Sequence, residues 1–434
     1  MFKTLVNAWR IPDIRKKLLF TIFVLFLYRV GNAVPIPFID PVAVKAMFTF
    51  QGENAFYGYL NMLTGGSFTA ATIFALSIFP YITSSIIIQL LVMAIPALER
   101  KVKEGGEAGR KFQEKMVRYG AIVLGIVQGF IYYLNLARST LTDGTSIIIN
   151  NGFFTAFMIV MTFAAGTALI TWLGEMITNK GIGNGISMIL FAGIISRLPA
   201  DLTTGIAGIR AGTLPIWLAV IIVLGTIALV GFVVWVSQAE RRIPVQYAKR
   251  VVGRKVYGGQ STFIPMKVNM TGVMPIIFAS SIVSLPAIIA SFFQAPTAGF
   301  WYHFLRLTQP PSIVYMVLYI LLIVAFSFFY AYTQVNPFEM ANNMKNNGGF
   351  VPGLRPGRST AEHISKIMKH VTVLGAIFLS FVAILPVIVS AFDANLSNLA
   401  LGGTSLLIVV GVAIETVQQL ESQMMLRHYK GFLE

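Results

Sequence analysis

Apolar runs of about 20 residues, each long enough to cross a hydrocarbon core, recur along the whole chain and alternate with polar loops. Ten such runs stand out, at 18–36, 71–95, 117–136, 153–173, 184–199, 214–236, 271–293, 313–335, 371–391 and 403–423. They predict an all-α, polytopic membrane protein, with the fifth run short and rich in glycine. The second run contains "SIFPYITSSIIIQLL" (77–91) and departs most from a plain span. Pro80 interrupts the helical hydrogen-bond ladder, a Thr-Ser-Ser run follows, and Gln89 brings an amide that lipid cannot satisfy. Isoleucines fill the gaps, and no Asp, Glu, His, Lys or Arg is present. Just upstream, Phe56, Leu60 and Leu63 repeat at helical spacing before Gly65-Gly66 breaks the pattern. A helix of about 12 residues rises only about 18 Å, too short to cross. It is either a re-entrant plug buried in protein or an amphipathic helix on the outer surface.

Composition agrees with the pattern: of 434 residues, 56% are hydrophobic and only 12% charged. The net charge of +16 would suggest a nucleic-acid partner in a soluble protein, but the basic residues follow the parity of the loops instead. Twenty-seven of the 33 lysines and arginines fall on one side of the predicted spans, which places both termini in the cytoplasm. The basic and then apolar N-terminus lacks a small-x-small cleavage site, so it reads as an uncleaved first span. Ten spans divide as five plus five, 1–199 and 200–434, and an odd number per half predicts halves of inverted topology with the working site between them.

The interior is poor in chemistry. Arg29, Glu175 and Glu415 lie toward span ends and read as boundary charges rather than an ion path. The four histidines, His303, His363, His370 and His428, fall outside the spans, in what reads as loop, so no histidine dyad or metal helix is expected. There is no cysteine, and no phosphate-binding loop of the G-x-x-x-x-G-K-[ST] type. "GIGNGIS" (181–187) follows no strand, so it reads as a tight turn with close packing rather than a dinucleotide site. No catalytic residue, metal or cofactor is expected, and any ATP use belongs to a partner. Ile78 and Ile82 share a helix face, as do Ile186 and Leu190, with Ile277 and Ile408 in later spans. Taken one helix at a time, such residues read as lipid-facing or plain packing.

Longer motifs add a resemblance. "GGSFTAATIFALSIFPYITSSIIIQLL", "WLGEMITNKGIGNGISMILFAGI", "RRIPVQYAKR", "QSTFIPMKVNMTGVMPIIFASSI", "FVPGLRPGRST" and "GGTSLLIVVGVAIE" closely resemble, in order and over essentially the whole chain, the SecY family of bacterial secretion channels. The resemblance implies two inverted five-span halves opening like a clamshell around a pore for unfolded polypeptides. It implies a plug at about 56–70 (Phe56, Leu60, Leu63, Gly65, Gly66) and a pore ring of Ile78, Ile82, Ile186, Leu190, Ile277 and Ile408. The family often has isoleucine where Leu190 stands here. It further implies a lateral gate between the second and seventh spans, with Thr83, Gln89 and Asn269 as polar contacts. Loops 237–270 and 336–370 resemble the docking surface for the SecA motor ATPase and the ribosome, through Arg241, Arg242, Lys249, Arg250, Arg254, Lys255, Arg355 and Arg358. The implied partners are small SecE- and SecG-type membrane subunits, signal sequences, unfolded preproteins and membrane lipid. A secondary transporter of inverted-repeat architecture is the alternative, and it would need coupling groups that the uncharged interior lacks. An assembly subunit without a pore would not need the half-helix or the interrupted second span.

Overall fold

The computed structural model describes residues 2–50, 61, 64–138, 147–149, 152–212, 215–247, 250–252, 255–257, 261–290, 299–309, 312–392 and 403–430. By chain contacts these residues fall into two compact units. The first holds Met1–Pro215, Ser284–Pro310 and Ile408–Glu434, and the second Ile216–Val283 and Pro311–Leu407.

The first unit opens with α1 (Phe2–Arg10), α2 (Pro12–Gly31) and α3 (Pro41–Phe50). A second group follows: α4 (Phe79–Ala94), α5 (Pro96–Lys103), α6 (Gly106–Arg138), α7 (Phe153–Lys180) and α8 (Gly185–Arg210). Proline sets several starts, because a missing N–H costs nothing in a first helical turn. Pro12, Pro80 and Pro96 all occupy that position. Pro80 therefore begins α4 instead of interrupting it, and the span predicted from residue 71 becomes helical only at Phe79. Ile95 is extended, as a residue before proline prefers, and α4 and α5 meet there at a bend of 107°. The fifth run is also corrected: α8 is 26 residues long and passes through Pro199. The apolar run ends near that proline, but an Arg197–Asp201 pair at 3.0 Å and Thr204 donating to the Ala200 carbonyl carry the helix onward.

Backbones approach closely where the α7–α8 turn folds under. Asn184 caps α8 through Oδ1, accepting from the Ile186 and Ser187 amides at 3.1 and 3.5 Å. A side chain at Gly185 would put its Cβ 1.8 Å from the Gly174 carbonyl oxygen. Distant elements tie down the rest of the turn. The Ile182 amide donates to Thr21 Oγ1 on α2 at 3.1 Å, and the Gly183 amide donates to Gln419 Oε1 at 2.6 Å. The turn predicted from "GIGNGIS" is thus a packing node. Ile182 also packs with Ala8, Ile14 and Leu420 in a small buried cluster.

The second unit contains α9 (Ile216–Gln238), then the strands β1 (Glu240–Tyr247), β2 (Arg250–Val252), β3 (Lys255–Tyr257) and β4 (Ser261–Lys267). After these come α10 (Met274–Ala290), α11 (Phe300–Leu307), α12 (Ile313–Gln334), α13 (Pro337–Asn346), β5 (Gly349–Phe350), α14 (Arg358–Phe392) and α15 (Gly403–Lys430). Of these, α11 and most of α15 belong to the first unit. The strands form a sheet of order β4-β1-β5, antiparallel, with Ile243 opposite Ile264, and a small β2–β3 ribbon. Ile243, Val245 and Met266 point into a core shared with Met344, Ile364 and Met368 of α13 and α14. Helix α9 is apolar nearly all round, with Val233 its one buried residue, as expected of a helix set in lipid. Phe278 meets Phe326 and Tyr330 of α12 edge-on or tilted, at 5.8 and 4.9 Å.

Each of the ten predicted runs overlaps a helix, the second only from Phe79 onward. Among the described residues seven helices satisfy length and hydropathy alone, the bent α4–α5 pair makes an eighth, and α10 is a shorter apolar helix. The polar ends of these helices reach well beyond the apolar runs. All four histidines placed in loops therefore stand on helices, His303 on α11, His363 and His370 on α14 and His428 on α15, with His303 and His370 exposed.

The Gly174–Gly185 contact yields a direct test. Gly185→Ala should lower the thermal midpoint of the purified protein by several degrees, since overpacking costs about 1–3 kcal/mol. Gly225→Ala on α9, where an added Cβ meets nothing within 4 Å, should leave it unchanged. Equal midpoints for the two variants in a detergent melt would contradict the contact.

Candidate functional site

The segment between α3 and α4 carries the geometry of interest. Gly65 and Gly66 adopt φ of +67° and +89°, the left-handed region that glycine enters without strain. Behind them, Asn61 organises the chain: its carbonyl accepts from the Gly66 amide at 2.8 Å, and its Oδ1 accepts from Thr69 Oγ1 at 3.0 Å. Phe56, Leu60 and Leu63, named for the plug, lie outside the described residues. From Thr64 to Ile78 the chain forms successive turns, and none of these residues is exposed. Its backbone groups find partners in a neighbouring extended stretch: the Ile36 amide donates to the Ala71 carbonyl and the Ile73 amide to the Val34 carbonyl, both at 3.0 Å. The Tyr132 hydroxyl donates to the Phe68 carbonyl at 2.7 Å. A core of Ile36, Ile39, Phe68, Ala75, Leu76, Tyr132, Ile148 and Phe163 encloses it.

Helix α4 leaves this support with Ile78, Ile82 and Ile86 on one buried face. On α8, Leu190 is buried and Ile186 half-buried. The glycine hinge packs on the same helix, since a Cβ at Gly65 would sit 2.6 Å from Ser196 Oγ and 2.7 Å from the Gly193 carbonyl oxygen. Gly193 follows Leu190 by three residues, about 4.5 Å along the axis. The structure therefore brings Gly65 against the helix that carries two of the expected ring positions. Ile408, also buried, belongs to the first unit, whereas Ile277 is buried in the second.

Charge is kept at the periphery. Arg29 donates to Ser196 Oγ at 3.1 Å, and Arg118 forms a two-pronged pair with Glu175, its Nε 3.0 Å from Oε1. Glu415 is exposed on α15. Among the described residues no group of three or more histidine, aspartate or glutamate side chains could hold a metal ion.

The residues expected at a lateral gate are half-buried and bond mainly within their own helix. Thr83 donates to the Phe79 carbonyl at 3.0 Å, and Gln89 donates to Ser85 Oγ at 3.1 Å. Asn269 stands where β4 gives way to α10, with its buried Oδ1 unpartnered among the described residues. Ser84, from the Thr-Ser-Ser run, makes an interhelical contact, donating to the Val117 carbonyl of α6 at 2.8 Å.

Of the basic residues, Arg241 and Arg355 are exposed. Arg242 pairs with Glu240 at 2.7 Å and lies 4.6 Å over the Phe263 ring. Arg358 pairs with Glu362 at 3.0 Å at the start of α14. Arg355 sits in the loop before α14, where Gly353 and Gly357 have φ of +83° and +107° and the Arg355 carbonyl accepts from Thr360 at 2.9 Å. Arg250 and Lys255 stand on β2 and β3, while Lys249 and Arg254 lie outside the described residues.

Comparison with known proteins agrees over the whole chain. The SecY family model matches residues 72–417. Curated proteins named protein translocase subunit SecY are 43% identical over 441 residues in Streptomyces galbus and 41% identical over 443 residues in Halalkalibacterium halodurans, covering 100% of both chains in each case. A solved protein-conducting channel covers 94% of this chain and 92% of its own at 20% identity, with a TM-score of 0.65. Canine Sec61 from a ribosome–channel complex covers 94% and 92% at 18% identity, with a TM-score of 0.62. These last two share the fold. With a family model across most of its length and full-length relatives above 40% identity, the chain belongs to the SecY family.

Proposed function

We propose that this chain is the channel subunit of a protein translocase, passing unfolded secretory polypeptides across the cytoplasmic membrane and releasing transmembrane segments sideways into lipid. Both termini and loops 237–270 and 336–370 face the cytoplasm. The observation that carries the reading is the packing of left-handed Gly65 on α8, the helix that also carries the aliphatic positions Ile186 and Leu190. A pore for arbitrary polypeptides gains nothing from fixed charges, which would hold one sequence and repel another. An aliphatic collar of Ile78, Ile82, Ile186, Leu190, Ile277 and Ile408 closes around varied side chains and dewets when empty. The plug hinged at Gly65-Gly66 completes the seal.

Release into lipid needs a seam that parts. Thr83, Gln89 and Asn269 suit one between α4 and α10, because interhelical polar contacts in membranes average only about 0.6 kcal/mol. The basic sheet and the Arg355 loop form the docking surface for a SecA-type motor or the ribosome, which supplies the energy. SecE- and SecG-type subunits complete the complex. Family membership disfavours the solute-transporter alternative.

Two substitutions test separate parts. Ile82→Asp should raise resting ion leak in reconstituted vesicles by roughly an order of magnitude, since a carboxylate wets a constriction that seals by dewetting. Leak equal to the parent's would remove Ile82 from the seal. Arg355→Glu should slow motor-driven protection of a preprotein severalfold while leaving protein levels and resting leak unchanged. An unaltered rate would end the docking role of this loop.

A further inference from the structure

Helix α11, Phe300–Leu307, belongs to neither the pore nor the docking loops. Its eight residues separate by face. At about 3.6 residues per turn, Tyr302, His303 and Arg306 lie on one side, and Trp301, Phe304, Leu305 and Leu307 on the other. The apolar side is only partly covered. Trp301 and Leu307 are 41% and 48% exposed, and the indole stacks on Phe304 at 5.4 Å. Water would meet this surface unfavourably.

Three further observations identify what covers it. First, the chain leaves only five residues between Leu307 and Ile313, the first residue of the apolar, 22-residue α12, so α11 is tied to the end of a span. Second, tryptophan marks span ends elsewhere in the chain. Trp217 and Trp235 stand exposed near the two ends of α9, 18 residues or about 27 Å apart, close to the thickness of a hydrocarbon core. Third, no carboxylate occurs in the chain from Arg241 to Phe338, so Arg306 has an acidic partner nowhere near it in sequence. A lipid phosphate supplies that charge, and a long arginine stem reaches it while lying along apolar surface.

We infer that α11 is an interfacial anchor, lying in the outer-leaflet headgroup layer with Trp301 and Leu307 in the acyl boundary and Arg306 at the phosphates. The choice of leaflet rests on the orientation given under the proposed function; the depth does not. The anchor holds the non-cytoplasmic connection between α10 and α12 at the bilayer surface while those helices move during gating.

The full chain, reconstituted in phosphatidylglycerol–phosphatidylcholine vesicles with Trp9, Trp172, Trp217 and Trp235 replaced by phenylalanine, reports on Trp301 alone. Lipids brominated near the glycerol end of the acyl chain should quench its emission roughly twice as strongly as lipids brominated mid-chain. Full quenching by aqueous iodide with none by bromine, equal or deeper bromine quenching, or protection from both quenchers would each overturn the anchor. The last of these would mean that protein covers the helix. A spin label at Leu307→Cys, in the otherwise unaltered cysteine-free chain, gives a second reading: it should be more accessible to oxygen than to a water-soluble nickel chelate, and the reverse order would also overturn the anchor. Separately, His303→Cys should react with an impermeant maleimide from outside intact cells. Labelling only from inside would refute the orientation while leaving the depth result standing.

Discussion

A peptide group without a hydrogen-bond partner in hydrocarbon costs several kcal/mol, and this constraint orders the whole molecule. Nearly every apolar run answers it by becoming a helix, which satisfies its backbone within the segment. Thr64–Ile78 is the exception, and it shows the other solution. Its turns are enclosed by the core around Phe68 and Tyr132, and its amides and carbonyls bond to Val34, Ile36 and the Tyr132 hydroxyl. The left-handed turn at Gly65-Gly66 is available there because neither residue carries a Cβ.

The same constraint explains how the helices hold together. Lipid tails are as apolar as leucine, so helix association depends on close packing and a few polar ties. The contact of Gly185 with the Gly174 carbonyl, and the bond from Ser84 to the Val117 carbonyl, are of these two kinds. Thr21 and Gln419 act similarly, bringing α2 and α15 to the turn before α8. The helix that carries Leu190 and receives Gly65 is therefore fixed at its start by three other elements. In the second unit, the sheet and α13–α14 bury an ordinary hydrophobic core of Ile243, Val245, Met266 and Ile364, as a water-facing layer must.

Much of the candidate site was legible in residue order. The Gly65-Gly66 break and the aliphatic face of Ile78 and Ile82 are local properties, and the described residues agree with both. Other features were legible but misread. Pro80 resembles a helix breaker in an apolar run, yet proline in a first turn is a starter, and only the position of the helix end distinguishes the two. The sheet left a period-2 signal, Ile243 and Val245 in "RRIPVQY" and Met266 in "STFIPMK", hidden among basic residues that drew attention to charge.

By itself, the sequence determined that apolar helices build the chain, and its long motifs carried the family. The helices follow from composition and short-range periodicity, because the solvent each residue meets, lipid or water, selects them segment by segment. Only the tertiary structure decided that Thr64–Ile78 is not helical and that Ser84 joins α4 to α6. Both turn on groups far apart in the chain, Phe68 with Tyr132 and Ser84 with Val117. A short polar side chain can bond within its own helix or across to another, and its neighbours in space, not in sequence, choose between the two.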